Sequence, residues 1–268
     1  MSSQRLLGWG LRFYVVVFFG YLFLPLAIMA AATFNDSRFP TVTPWDGTTL
    51  RWFGELAEDG AMWQALANSA LVAVGVLLLA VPIGIATALF LNTVSSRAKP
   101  FLYALILSPL LTPGVIIGIS TLIFWRQWGV GGGIFLTVVG QATFIAAYVM
   151  LMVTARLQRF DRTLERAALD LGATPWQAFR RILLPFLKPA ILSAGVIAFL
   201  QSFENYNTTL FVVGYDTTLT VYIASKVRTG LTPAVNALGL ILILVTVLLA
   251  AAYEFKRRRE AARLVKGV

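Results

Sequence analysis

Residues 60–96 contain no Asp, Glu, Lys or Arg. A stretch that long and that apolar has few folded fates. Crossing the hydrocarbon core of a bilayer takes about 20 predominantly apolar residues, and in lipid a helix satisfies its own backbone. The pattern recurs along the chain. Uncharged stretches cover 13–35, 100–125, 127–155 and 229–253, and a shorter one over 189–203 resumes after the single Glu204 as 205–215. They predict six spans, at about 13–34, 64–92, 101–124, 133–155, 189–213 and 235–253, in one transmembrane domain covering 1–268. Little chain remains for a separate soluble domain. Composition agrees: 13% of residues are charged, against about 25% in soluble domains. The expected fold class is all-α and integral to the membrane.

Ala30, Ala31 and Ala32 follow the first apolar run and mimic a signal-cleavage site. The run from Phe13 is long for the apolar region of a signal peptide, so it reads as a retained first helix. The chain has no Cys and no His. That excludes disulfides, thiolate metal sites, thiol nucleophiles and imidazole acid–base chemistry. A metal site would rest largely on the twelve carboxylates, and no pair of them lies suitably within the spans for enzyme chemistry. The formal charge of +10 does not signal nucleic acid. The basic residues flank apolar spans instead of forming one soluble patch. Residues 129–133 are glycine-rich, but no Gly-Lys-Ser/Thr follows to cradle a nucleotide's phosphates.

Charge also orients the spans. With the N-terminus inside, the inside segments are 1–12, 93–100, 156–188 and 254–268, and they hold 17 of the 22 Lys and Arg. The outside segments hold only Arg38, Arg51, Arg126, Lys226 and Arg228, and the first also carries Asp36, Asp46, Glu55, Glu58 and Asp59. Positive residues prefer the cytoplasmic side, so both termini are expected there. The tail Lys256, Arg257, Arg258 and Arg259 reads as a stop-transfer anchor facing anionic membrane lipid. Trp52 and Trp63 read as interfacial anchors.

The inside loop 156–188 is too long for a simple connector. Asp161 or Thr163 can cap a helix whose Leu164, Ala167, Ala168 and Leu171 share one face. Gly172 suits a helix end that needs positive φ. Thr174 can cap a second short helix with Pro175 in its first turn, presenting Trp176, Phe179, Ile182 and Leu183. Pro185 and Pro189 mark its end and the entry to the next span. This pattern admits two readings, an amphipathic hairpin lying on the membrane or a docking surface for a partner protein.

The same stretch resembles the cytoplasmic loop signature of binding-protein-dependent ABC importer permeases: EAA, three residues, Gly, nine residues, Ile, one residue, Leu-Pro. Ala167, Ala168, Gly172, Ile182, Leu184 and Pro185 fall on its positions. One position departs. Arg166 stands where the motif has Glu, and Glu165 sits one residue earlier, about 100° away on a helix. The resemblance implies an ATPase-coupling role for Glu165, Arg166, Ala167, Ala168, Gly172, Ala173, Phe179, Ile182 and Pro185. The packing role of the two alanines and Gly172 is better supported than any salt bridge there.

Similar features extend over most of the chain: FNDSRF and TLRWF, Asn68–Ser69, SPLLTPGVIIGIS, SFENYNTTLFVVG and SKVRTGLTPAVNAL. Together they look most like the second permease subunit of spermidine/putrescine-type importers. The resemblance implies a type I ABC importer permease fold in a bacterial-type inner membrane. It implies a second permease, two ATP-binding subunits that hold ATP and Mg, and an extracytoplasmic solute-binding protein. No catalytic site, metal or cofactor is expected on this chain. Related machinery carries ferric iron, thiamine, phosphonates or amino-acid-like compounds. A secondary carrier or channel would not need the 164–185 lever.

The fifth span is the richest in polar groups. Ser202, Glu204, Asn205, Tyr206 and Asn207 are the candidates for a solute pathway, because polar side chains inside a span face a cavity or a neighbouring helix. Glu204 would supply a counter-charge to a cationic solute. Otherwise it lies in the outer headgroup zone or pairs with a partner subunit. Pro109, Pro113 and Gly114 predict a kink in the third span.

Overall fold

The computed structural model describes residues 2–95, 97–230 and 232–266, with side chains at all of them except 2–8, 249, 250, 253 and 256–266. The basic tail side chains at 256–259 thus lie outside the described residues. Among the described residues the only β pairing is an isolated bridge between Asn35 and Thr48. Everything else regular is helical, as the uncharged stretches require.

The chain divides into two compact units. The first joins Met1–Gly60 to Ile223–Val268. It contains α1 (Ser2–Thr33), α2 (Arg51–Glu58) and α12 (Pro233–Lys266). Both α1 and α2 pack on α12. Gly239 makes room for Met29 of α1, since a Cβ there would lie 3.0 Å from Met29 Sδ. Ala30–Ala32 continue α1 without a break. Phe13 and Tyr21 are 73% and 80% exposed, as expected of side chains that face lipid.

The loop after α1 is organised by Asn35. Its Nδ2 donates to Thr41 O and Pro44 O, and its Oδ1 accepts from Asp46 N. Trp52 Nε1 donates to Asn35 O at 2.8 Å, and Trp52 is only 4% exposed. It is therefore a buried pin of this loop, not the interfacial anchor its composition suggested. An indole with its N–H satisfied gains more from packing than from the headgroup zone. Trp63, by contrast, is exposed.

The second unit is Ala61–Tyr222. It holds α3 (Gly60–Thr93, from Ala61 on), α4 (Lys99–Leu111), α5 (Gly114–Arg126), α6 (Ile134–Leu157), α7 (Arg162–Asp170), α8 (Pro175–Ala178), a π-helical turn (Phe179–Leu183), α9 (Leu184–Phe203) and α10 (Thr209–Val212). It also takes in the start of α11 (Leu219–Thr229). Helix α6 is the hub and packs on α4, α5, α9 and α10. Ile145, Met150 and Val153 of α6 are buried with Val76 and Ala80 of α3 and Leu187 and Ala194 of α9. Small residues bring the backbones together: a Cβ on Gly84 would lie 2.6 Å from Val149 Cβ. Close approach through small residues is the usual substitute for hydrophobic drive inside a bilayer.

Among the described residues, four helices are long and apolar enough to cross a membrane, and the α4–α5 pair makes a fifth crossing if counted as one span. The apolar stretch Pro233–Leu248 of α12 is shorter. Two expected spans are broken. The third does not merely kink: α4 and α5 meet at 99°. Thr112 is extended, at φ −83° and ψ 131°, because the following Pro113 disfavours the helical region. The fifth is shifted. Its helix ends at Phe203, well short of residue 213, and a four-residue helix, α10, follows the break.

Candidate functional site

The first candidate region is the segment between α6 and α9. Asp161 caps α7, accepting from Thr163 N at 2.9 Å. A hydrogen bond from the Thr163 side chain, together with that backbone bond, holds the Asp161 carboxyl below the usual aspartate range. Gly172 ends the helix at φ +85°, where a Cβ would be strained. Gly172 N donates to Leu169 O and Ala173 N to Ala168 O, the paired bonds of a Schellman end. Thr174 and Gln177 then form a reciprocal capping box around Pro175. The Gln177 half of that box follows from Gln three residues after Thr174, a signal present in the sequence.

Pro185 does not end the second helix. α8, the π turn and α9 run on through it, with Leu184 N donating to Phe179 O five residues back. The proline ring would clash with the carbonyl four residues earlier in a regular helix. The widened turn makes room for it. Phe179 and Leu183 face inward to the α6–α9 core. Trp176, Leu164 and Leu171 are exposed, and Trp176 stacks on Phe179 with centroids 5.4 Å apart. Of the remaining residues singled out, Arg166, Ala167 and Pro185 are exposed, and Glu165, Ala168, Ala173 and Ile182 are half-buried. Arg162 Nη2 donates to Asn92 O at 3.2 Å, tying α7 to the end of α3. The result is a two-helix projection whose outer surface mixes Leu164, Leu169, Leu171 and Trp176 with Arg162, Arg166, Arg180 and Arg181.

The second region is the break after Phe203. Asn205 builds it: its Oδ1 accepts from Thr208 N and Thr209 N, and its carbonyl accepts from the Thr209 and Thr220 hydroxyls. A side chain that takes over backbone donors offers an alternative to the helix ladder. The Ser202 hydroxyl donates to Gln141 Oε1 at 2.5 Å, and Gln141 Nε2 donates to Thr209 Oγ1 at 2.8 Å. Gln141 is buried in the middle of α6 and was missed in the sequence. Its signal was a lone amide in an apolar span.

The break faces the other break. A cavity of about 200 Å³ is lined by Pro109, Thr112 and Gly114 on one side and by Asn205, Asn207 and Thr208 on the other. Thr208 is fully buried, and its hydroxyl has no partner among the described residues. Gly118 lets the two breaks touch, for a Cβ there would lie 2.6 Å from Thr208 O. Of the predicted pathway residues, Asn205 and Asn207 line this cavity, whereas Ser202 is buried in the Gln141 network. Tyr206 is half-buried. Glu204 caps α9, is exposed and forms no ion pair among the described residues.

Two further sequence features have structural roles. Asn68 donates to Thr217 O, and Ser69 accepts from Leu219 N, so they bind α3 to the start of α11. Gly132 packs against Gly214 so closely that a Cβ on either would meet backbone within about 3 Å. The glycine-rich loop is thus a close backbone crossing.

Comparison with known proteins fits this architecture. The family described as "Binding-protein-dependent transport system inner membrane component" matches residues 80–261. The putrescine transport system permease protein PotI of Escherichia coli (strain K12) is 34% identical over 255 residues, covering 92% of this chain and 90% of that protein. The spermidine/putrescine transport system permease protein PotC of the same organism is 31% identical over 247 residues, covering 91% and 92%. A bacterial ABC transporter involved in the import of the acidic polysaccharide alginate superposes with a TM-score of 0.72 at 15% identity, covering 96% of this chain and 98% of that one. The inward-facing MetNI methionine ABC transporter gives 0.56 at 20% identity, covering 75% and 94%. This chain belongs to the inner-membrane permeases of binding-protein-dependent ABC importers.

Proposed function

We propose that this chain is one of two permease subunits in an importer of small organic cations, with polyamines such as putrescine and spermidine as the solute class. The chain would work as one permease domain with six crossings and both termini in the cytoplasm. The distribution of Lys and Arg supports that orientation. Two ATP-binding subunits holding ATP and Mg would dock on the α7–α8 projection, and an extracytoplasmic protein would deliver the solute. Glu165, Arg166, Ala167, Ala168, Gly172, Ala173, Phe179, Ile182 and Pro185 would carry the coupling. Closure of the ATPases would push a projection that the Schellman end and the capping box keep stiff. Rigid-body displacement of this kind is one established way of switching access.

The observation that carries the solute class is the polar cavity between two broken spans, with the exposed Glu204 next in the chain to its lining residue Asn205 and in no ion pair among the described residues. Non-helical backbone at membrane depth is tolerated where it lines a cavity. Thr208, Asn205 and Asn207 offer hydrogen bonds there, and Glu204 offers charge; Ser202 and Tyr206 would hold the break in place. Both polyamine permeases named above point to the same class.

The test is ATP-dependent uptake into proteoliposomes holding the whole complex and its binding protein, with labelled putrescine and spermidine against a neutral sugar. Polyamine uptake alone is expected, and Glu204→Gln should reduce it about tenfold or more. That corresponds to about 1.4 kcal/mol, the scale of a charge-assisted hydrogen bond. Sugar uptake, or unchanged polyamine uptake in Glu204→Gln, would remove the cationic pathway.

A further inference from the structure

A groove of about 370 Å³ opens between the end of α6 and the start of α9. Its lining divides by chemistry. Met152, Ala155, Pro189 and Ala190 are apolar, Arg156 and Arg159 carry guanidinium groups, the Ser193 hydroxyl donates to Pro189 O, and no carboxylate takes part. Arg156 stands in the last turn of α6 and Arg159 in the turn that follows it, and both line the groove. Arg156 is fixed in place. Its Nε donates to Phe186 O at 3.2 Å, and its guanidinium lies 4.1 Å from the centre of the Phe186 ring. Those contacts use Nε and a flat face, and both Nη groups keep their donors free among the described residues. Arg159 is exposed. Neither arginine belongs to an ion pair among the described residues.

The groove also sits at a defined depth. Helix α6 has 24 residues, about 36 Å at 1.5 Å per residue, slightly more than the roughly 30 Å hydrocarbon core. Its last turn therefore reaches the zone where acyl chains give way to headgroups. Two unpaired guanidinium forks there match the geometry of a phosphate diester. The apolar half of the same groove matches the first methylenes of an acyl chain.

We propose that this groove binds one anionic phospholipid, with its phosphate held by Arg156 and Arg159 and its acyl chains lying against Met152, Ala155, Pro189 and Ala190. The bound lipid neutralises two cations at the root of the α7–α8 projection, and so braces the segment from which that projection springs.

The test is native mass spectrometry of the delipidated full chain titrated in detergent with phosphatidylglycerol, cardiolipin or phosphatidylcholine. One anionic lipid should persist where phosphatidylcholine is lost. Arg159→Gln, which leaves the Arg156–Phe186 contact intact, should weaken retention about fivefold, and R156Q/R159Q together about 25-fold. Equal retention of anionic and zwitterionic lipid would overturn the proposal, as would an anionic preference that neither variant alters. Displacement by millimolar inorganic phosphate would show a simple anion site. Loss of the selective lipid when the second permease is added would show that protein covers the groove. Either result would also overturn it.

Discussion

Gly172 has φ +85° and open space where a Cβ would lie. The cost of a side chain there is conformational and not steric, about 1–2 kcal/mol in the left-handed region and more for a β-branched residue. Gly172→Val should therefore distort the joint between α7 and α8 without unfolding the bundle. In reconstituted complex, ATP hydrolysis should continue while transport per ATP falls several-fold. Gly172→Asn, which tolerates positive φ, should retain coupling, and equal coupling in all three proteins would remove the joint from the mechanism. Gly118 is the opposite case. A Cβ there meets Thr208 backbone at 2.6 Å, and backbone cannot swing aside as a side chain can. Gly118→Ala should cost about 1–3 kcal/mol, read as a lowered Tm in detergent; an unchanged Tm would mean that α5 and α10 separate freely. The first glycine was legible in the sequence because its role is local. The second was not, because only the meeting of two distant segments makes it necessary.

At the scale of elements, caps were readable and breaks were not. Asp161, Gly172 and Thr174–Pro175 announced the ends of α7 and α8, and each works through residues within five of it. The Asp161 cap has a defined pH window. Its carboxyl lies below the ordinary aspartate range, so the cap is fully present above that range and is lost only as pH falls through the lowered value. Near neutral pH the cap should therefore be insensitive to pH. Asp161→Ala should speed amide exchange over 162–170, and Asp161→Asn, an equally good cap, should leave it slow; equal exchange in both would deny the cap its role. The breaks at Thr112–Pro113 and after Phe203 are another matter. Prolines marked the first only as a kink, and Pro185, with the same chemistry, was absorbed by a π turn inside a continuous helix. Whether a proline bends, breaks or is accommodated depends on what the freed carbonyls find nearby.

At the scale of the molecule, orientation rests on charge, and the cysteine-free chain offers a clean background for testing it. Single cysteines at the exposed positions Glu58 and Gln158 should label oppositely in intact cells. A membrane-impermeant thiol reagent should reach Glu58→Cys from outside, and Gln158→Cys only after permeabilisation; the reverse pattern would overturn the proposed topology. The sequence by itself determined the all-helical membrane class, the absence of thiol and imidazole chemistry, the α7–α8 projection and the family. All of these depend on hydropathy, charge and short-range capping, which act between residues close in the chain. Only the tertiary structure decided that Gln141 joins Ser202 to Thr209, that Trp52 is buried, and that two broken spans enclose one polar cavity around Thr208. Those are pairings between distant segments. The energy of burying a polar group depends on which partner arrives to satisfy it, and sequence spacing alone carries no record of that partner.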